Sequence, residues 1–220
     1  MKKIILITIL AATFNCVGQT TRDSISLKSS SKTFNNSSNY FDKIKFKIGG
    51  GVFIPQGNLD TYFGIAPLFE MNMNFPIKNK KSIEFVFQLA VPNQKENFLF
   101  IRTTDTLQVK SKMMINFFIN LKRSIYFNKS SSLNFSLGIG ASTIRTDARN
   151  PFYTGKEDED KYEMISTILI TPGINWSHDF SPKTKITLGI NLHYSPYKTE
   201  GVLRENIGSL GLIPKILYTF

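Results

Sequence analysis

The chain has 220 residues, enough for one domain of ordinary size, and 27 Lys and Arg against 16 Asp and Glu give it a formal net charge of +11. A single Cys excludes an intramolecular disulfide, and 19 Phe and 8 Tyr accompany only one Trp. The sequence has no Lys- or Arg-rich helix and no aromatic RNA-binding motif, so the positive charge does not indicate a nucleic-acid partner.

Residues 1–18 are predicted to be a secretory signal peptide. Two lysines precede an apolar stretch over residues 4–12, and Cys16 begins a small-residue cleavage site that ends at Gly18. The apolar stretch is too short for a helix that crosses a bilayer, which needs about 20 apolar residues. The alternative is lipidation of Cys16, but residues 13–15 lack the Leu and small residues that such a site prefers.

The next segment, residues 19–42, is dominated by Ser, Thr, Asn and Lys and has almost no apolar period. This composition predicts a disordered lead, because such a segment cannot bury enough apolar surface to fold. The remaining residues, 43–220, are predicted to form one domain.

From about Ile44 onward, apolar and polar residues alternate, as in strands whose successive side chains point to opposite faces. The pattern predicts about eight strands, over residues 44–54, 63–75, 82–91, 107–127, 133–144, 162–177, 185–194 and 209–220. The connections after the second, fourth and sixth strands are tight, and the other connections are longer. Short turns at one end and long loops at the other are typical of a transmembrane β-barrel.

The apolar face of these strands decides between a membrane barrel and a soluble barrel or sandwich, whose apolar face points inward. It carries on the order of 40 large side chains, whereas side chains only just fill the interior of an eight-stranded barrel. We therefore expect this face to meet lipid, and the last strand to pair with the first, since lipid leaves no backbone group unpaired. The predicted fold is all-β, a transmembrane antiparallel up-and-down barrel with short periplasmic turns and longer extracellular loops.

The polar face carries charged residues that would lie in the barrel lumen: Lys47, Glu70, Glu84, Lys112 and Lys215. Our hypothesis is that Glu70 pairs with Lys47, and with Lys215 across the closing seam, so that the pairs plug a narrow lumen. Burying one of these charges alone is costly, whereas a hydrogen-bonded pair is tolerated. The alternative is a small anion-attracting pore, although a barrel this small seldom leaves an aqueous channel.

Few residues have the chemistry of a catalytic or metal site. His193 and Ser195 share one strand face, and Glu200 or Glu205 follows them, which is the minimum for a lipid-modifying enzyme at the barrel rim. A lumen His satisfied by a neighbouring polar group is the commoner arrangement. The acidic run at 157–160 lacks the spacing of a calcium loop and is predicted to be a solvated loop. We therefore predict no enzyme activity, cofactor or metal.

Three stretches resemble the outer-membrane β-barrel domain family of small bacterial proteins, with PorT-like and OmpA/OmpX-like barrels. They are IKFKIGGGVFIP at residue 44, the strand pair over residues 113–142, and SLGLIPKILYTF at the end of the chain. The resemblance implies an integral protein of the Gram-negative outer membrane with a structural or interaction role and no shared catalytic residues. Because an even number of strands puts both ends of the chain on one side, we expect both termini to be periplasmic. Some members are linked to a secretion system, which is the alternative function.

The last strand also resembles the terminal signal that the barrel assembly machinery reads, because it alternates and ends in Tyr218 and Phe220. The expected partners are this machinery and the lipid and lipopolysaccharide of the outer membrane. Phe98 and Phe100 lie beyond the third predicted strand, where they are candidates for contact with a protein partner. The alternative is that they belong to a hairpin extended above the membrane.

Overall fold

A computed structural model describes residues 44–77, 80–102, 105–155, 161–181, 184–200 and 203–220. The predicted signal peptide, the predicted disordered lead and the acidic run at 157–160 lie outside these residues. Among the described residues, no helix is long and apolar enough to cross a membrane.

The described part of the chain is mostly β-structure. In chain order the strands are β1 (Lys45–Gln56), β2 (Phe63–Gly64), β3 (Ala66–Ile77), β4 (Lys81–Ala90), β5 (Asn93–Gln94), β6 (Phe98–Ile101), β7 (Thr106–Val109), β8 (Ser111–Phe127), β9 (Ser131–Arg149), β10 (Tyr162–Asp179), β11 (Lys185–Tyr194) and β12 (Leu210–Thr219). One turn of α-helix, α1 (Asn58–Tyr62), and a 3₁₀ helix (Tyr197–Glu200) lie in the long connections.

Eight of the described strands form a closed antiparallel barrel in the order β1-β12-β11-β10-β9-β8-β4-β3. Strand β1 pairs with β3 on one side and with β12 on the other, so the sheet has no open edge. The predicted eight-stranded barrel and the predicted pairing of the last strand with the first are therefore confirmed.

The outer and inner surfaces of the barrel differ in the way the alternation predicts. Large apolar side chains are exposed on the outer surface of every barrel strand, among them Ile48, Phe69, Phe87, Phe117, Ile139, Ile168, Ile190 and Ile216. The inward positions between them hold buried Asn, Gln, Ser, Thr, Lys and Glu side chains. Burial of polar groups inside and exposure of apolar groups outside is the reverse of a soluble fold.

Inward-facing glycines allow the wall to curve tightly at particular points. A Cβ atom on Gly140 would lie 2.1 Å from the main-chain oxygen of Phe117, so no other residue fits there without displacing β8. At Gly138 the missing side chain leaves room for the ring of Phe118, whose Cδ2 atom would lie 2.7 Å from a Cβ. Glycine kinks of this kind are a means by which small barrels close.

The end of the barrel that carries the long connections is covered by an apolar cap. The cap consists of α1, the β2–β5 pair, the β6–β7 hairpin, the 3₁₀ helix and residues 203–207. Its buried side chains include Leu59, Phe63, Phe98, Phe100, Tyr197, Leu203 and Ile207. They pack in one cluster with inward-facing barrel residues such as Phe53, Met114 and Ile213. The apolar side chains of the long connections therefore close the barrel end, and do not project away from it.

The cap corrects the predicted role of Phe98 and Phe100. Both side chains are buried, at 0% and 4% exposure, so the expectation that they contact a protein partner is wrong. The alternative, a hairpin, is the structure observed, because β6 pairs with β7 from Phe98 opposite Val109 to Ile101 opposite Thr106. This hairpin is also why the fourth barrel strand begins at Ser111, and not at Leu107 as predicted.

The inward position predicted for Lys112 is also wrong. Ser111 and Met114 both point inward and are buried, and the two residues between them lie outside the lumen because the β8–β9 register shifts at this point. Such a bulge inserts one residue and reverses the alternation that precedes it. Lys112 is accordingly exposed on the outer surface of the barrel.

Candidate functional site

The centre of the lumen holds a buried ion pair between β3 and β12. The ammonium group of Lys215 lies 2.7 and 2.9 Å from the two carboxylate oxygens of Glu70, and both side chains are almost fully buried. Strand β1 runs between them, with Gly49 opposite Glu70 and Gly51 opposite Lys215. Because neither glycine has a side chain, the two charged groups meet across β1 inside the barrel.

Two amides complete the surroundings of the Glu70 carboxylate. Asn72 Nδ2 donates to Oε1 at 2.9 Å, and Gln88 Nε2 donates to Oε2 at 2.7 Å. With Lys215, the strands β3, β4 and β12 thus supply hydrogen-bond donors to a single buried acid. A carboxylate that accepts this many bonds keeps its charge at low cost, since burial is expensive mainly for unpaired groups.

A chain of hydrogen bonds continues from Gln88 around the inside of the wall. Asn116 Nδ2 donates to Gln88 Oε1 at 3.0 Å, and Ser142 Oγ donates to Asn116 Oδ1 at 2.6 Å. The Tyr197 hydroxyl lies 2.7 Å from Ser142 Oγ. The chain therefore joins the centre of the lumen to the 3₁₀ helix of the cap.

The donor of each bond follows from the carboxylate at one end. Glu70 only accepts hydrogen bonds, so Gln88 donates to it. Asn116 in turn donates to Gln88. Ser142 donates to Asn116, so Tyr197 donates to Ser142. Burial raises the pKa of Tyr197 to about 12, so this phenol stays protonated and able to donate.

His193 lies beside the 3₁₀ helix, with Nε2 at 2.9 Å from Ser195 Oγ, and the main-chain oxygen of Ser195 accepts from the N–H of Tyr197. Nδ1 is buried and has no hydrogen-bond partner among the described residues.

The arrangement around His193 lacks the features of a catalytic pair. Both His193 and Ser195 are buried beneath the cap, where a lipid substrate has no access. Glu205 instead accepts a bond of 2.7 Å from the hydroxyl of Tyr62, and the side chain of Glu200 lies outside the described residues. The absence of enzyme activity stays a prediction from the sequence.

A second charged group, the Glu84 cluster, lies nearer the end of the barrel with the short turns. Lys47 donates to Glu84 Oε1, and Lys122 Nζ lies 3.4 Å from the same oxygen. Asn74 and Asn120 donate to the two carboxylate oxygens at 2.8 and 3.1 Å. One buried carboxylate is thus the counter-ion of two ammonium groups.

The Glu84 cluster corrects the pairing predicted for Lys47, which binds Glu84 and not Glu70. The register explains the difference, because Lys47 lies opposite Asn72 and therefore two residues from Glu70 toward the short turns. Lys122, which alternation alone places inward, was missing from the predicted pairs.

An apolar layer separates the two charged groups. Val86, Phe118 and Leu169 point inward from β4, β8 and β10 and pack together, all at 1% exposure or less. From the short-turn end, the lumen therefore contains the Glu84 cluster, this apolar layer, the Glu70 network and the cap. Side chains occupy the lumen at each of these levels, as expected for a barrel of eight strands.

The residues of the predicted assembly signal lie on the outer surface. Tyr218 and Phe220 are 45% and 62% exposed, and their rings stack with centroids 6.4 Å apart. The main-chain N–H of Phe220 donates to the oxygen of Phe46, which extends the β1–β12 pairing to the last residue. Neither ring takes part in the lumen network.

The fold and the lumen define a class of protein, a closed eight-stranded antiparallel barrel with an apolar outer surface and a polar, plugged interior. The chain is similar in structure to Neisserial surface protein A, with a TM-score of 0.50 and 8% identity, over 80% of this chain and 94% of that one. Two further similar structures are Ail from Yersinia pestis and the N-terminal β-barrel domain of OprF from Pseudomonas aeruginosa. Their TM-scores are 0.44 and 0.42, at 11% and 7% identity, over 80% of this chain and 95% and 96% of theirs.

Neither a protein-family model nor a curated protein matches the chain. The predicted resemblance to small outer-membrane barrels is confirmed at the level of the fold. Membership of the PorT-like group stays a prediction.

Proposed function

We propose that this protein is an integral barrel of the bacterial outer membrane with a structural or interaction role and a lumen closed to ions. The outward apolar surface carries this proposal. It extends over all eight strands, and a closed sheet is the form in which β-structure satisfies every backbone group in lipid.

Two measurements test whether the barrel lies in the membrane: heat-modifiable mobility on a denaturing gel, and membrane fractionation. A lipid-embedded barrel stays folded in detergent without boiling and therefore migrates differently from the boiled chain. It also sediments with membranes and resists extraction by alkali. Recovery of folded protein in the soluble periplasmic fraction would contradict the proposal.

The proposed closure rests on the Glu70 network, the apolar layer and the cap, which together obstruct the lumen at three levels. We expect purified protein in planar bilayers to show no steady conductance. Glu70→Ala removes the central acceptor, so brief openings that appear only in this variant would support the plug. Steady channels of equal conductance in the wild type and in Glu70→Ala would refute it.

The proposed orientation has the short turns and both ends of the domain in the periplasm. It is supported by the β1–β12 register, which brings Lys47 opposite Thr219 and so puts the start and the end of the barrel at one rim. Phe152, which is 77% exposed in a long connection, suits a test by cysteine labelling. A membrane-impermeant thiol reagent should label Phe152→Cys on intact cells, but not Lys129→Cys in a short turn, and the opposite pattern would invert the orientation.

The interaction role is proposed for the outer surface of the cap and the long connections. Purification in mild detergent separates the two roles, because a member of a secretion or transport assembly brings its partners with it. A barrel with a structural role is recovered alone, with bound lipid or lipopolysaccharide.

A further inference from the structure

At the short-turn end the lumen opens into a cavity of about 260 Å³, which we call the basic vestibule. Its lining includes six lysines, which come from four barrel strands and one turn: Lys45, Lys47, Lys80, Lys81, Lys122 and Lys185. In the described part of the chain, no Asp or Glu is among the lining residues. The vestibule is therefore a concave, polar and positively charged surface.

Two of these lysines, Lys47 and Lys122, share the Glu84 carboxylate at the inner end of the vestibule. Their side chains are only 4% and 10% exposed. Lys122 lies 3.4 Å from Oε1, the oxygen that also accepts from Lys47 and Asn74, so the two ammonium groups share one negative charge. A buried ammonium group without a full counter-charge is costly, and a bound anion would remove that cost.

The lining also contains an unpaired hydroxyl group. Thr219 is fully buried, and its Oγ1 has no hydrogen-bond partner in the structure as described. It lies at the β1–β12 seam directly opposite Lys47. A hydroxyl that neither donates nor accepts inside a protein is uncommon, because leaving the group unpaired costs about 1–3 kcal/mol.

We propose that the basic vestibule binds a small oxyanion of the phosphate or sulfate type. The ammonium groups of Lys47 and Lys122 supply the charge, and the Thr219 hydroxyl donates a further bond. Because each water occupies about 30 Å³, the cavity accommodates a phosphate with several waters and excludes a folded partner. Oxyanion binding is thus a second function, in addition to the structural role proposed for the barrel.

Isothermal calorimetry with inorganic phosphate tests the site, on the full chain refolded in detergent at neutral pH and low ionic strength. The wild type should bind phosphate at one site. Lys122→Gln should weaken binding by about tenfold or more, because it leaves Lys47 and Glu84 as a balanced pair. The matched control is Lys129→Gln, which removes the same charge from an exposed turn at the same rim and should change affinity by less than about twofold.

Thr219→Val tests the hydroxyl, since it removes the donor without changing the size of the side chain. Phosphate affinity should fall by about fivefold, and heat-modifiable mobility shows that each variant remains a folded barrel. No saturable binding by the wild type, or equal effects of Lys122→Gln and Lys129→Gln, would overturn the proposal. Displacement of phosphate by an equal concentration of chloride would overturn the assignment to an oxyanion.

Discussion

Replacing Lys215 by Met should destabilise the barrel by about 3–5 kcal/mol, because it leaves the Glu70 carboxylate buried without its counter-charge. Asn72 and Gln88 still donate to the carboxylate, which places the expected loss near the lower limit of this range. Glu70→Gln should cost a similar amount, because the Lys215 ammonium then has no carboxylate partner among the described residues.

The double variant Glu70→Gln/Lys215→Met should be more stable than either single variant. It contains no buried charge at this position, and the amide oxygen of the new Gln still accepts from one of the two neighbouring amides. The remaining cost is that of the amide N–H groups left without an acceptor, about 1–3 kcal/mol for each, and the single variant Glu70→Gln has the same cost. The two substitutions should therefore show a coupling energy of about 3 kcal/mol or more.

Urea unfolding in phospholipid vesicles measures these values, with Trp176 as the reporter. It is the only Trp in the chain and is 42% exposed on the outer surface, so its emission should change when the barrel leaves lipid. Lys185→Met is the control, since the Lys185–Asp179 pair is partly exposed and its loss should cost less than about 1 kcal/mol. A double variant as unstable as the sum of the two single losses would refute the reasoning.

Three further predictions follow from the wall, the cap and the last strand. Gly140→Ala should destabilise the barrel by about 1–3 kcal/mol in the same urea assay, because its Cβ would meet the Phe117 oxygen, whereas Gly50→Ala, with its nearest contact at 3.1 Å, should cost less. The pKa of Tyr197, about 12, exceeds the value of about 10 in an unfolded chain, so its contribution to stability should be complete below about pH 10 and be lost as the pH rises toward 12. Alkaline titration of tyrosinate absorbance should show one late-titrating group that is missing from Tyr197→Phe, and identical curves would contradict this. Phe220→Ala should lower the amount of barrel inserted in cells and leave inserted molecules normally heat-modifiable, and normal insertion would remove the proposed assembly role of this residue.

The barrel strands could be predicted from the sequence because alternation is a local property of the chain. The same rule failed at Lys112, since the bulge that reverses the alternation has no mark in the sequence. It also failed at Val109, which alternates like a barrel residue but belongs to the cap hairpin. In both places the structure departs from a regular strand at the end with the long connections.

The members of the candidate site were only partly predictable. Alternation places Asn72, Gln88 and Asn116 inward, but it does not give their heights in the lumen, which depend on the register between strands. The same information was missing for Lys47, so its partner was predicted wrongly. Tyr197 lies in a connection and reaches Ser142 only through the folding of the cap, so no sequence pattern indicates its part in the network.

The position of the Glu70–Lys215 pair has a consequence for the order of folding. The two residues are 145 positions apart, and Lys215 lies on β12, the last of the eight barrel strands in chain order. Contacts between such distant segments form late, because the intervening chain must be ordered first. Until β12 arrives, β1 has an open edge and Glu70 has no cation beside it, so one strand both seals the wall and neutralises the interior. A chain that has not completed this step has an unpaired β1 edge and an unpaired Glu70 carboxylate close to each other. Both lie at the seam where the barrel must close.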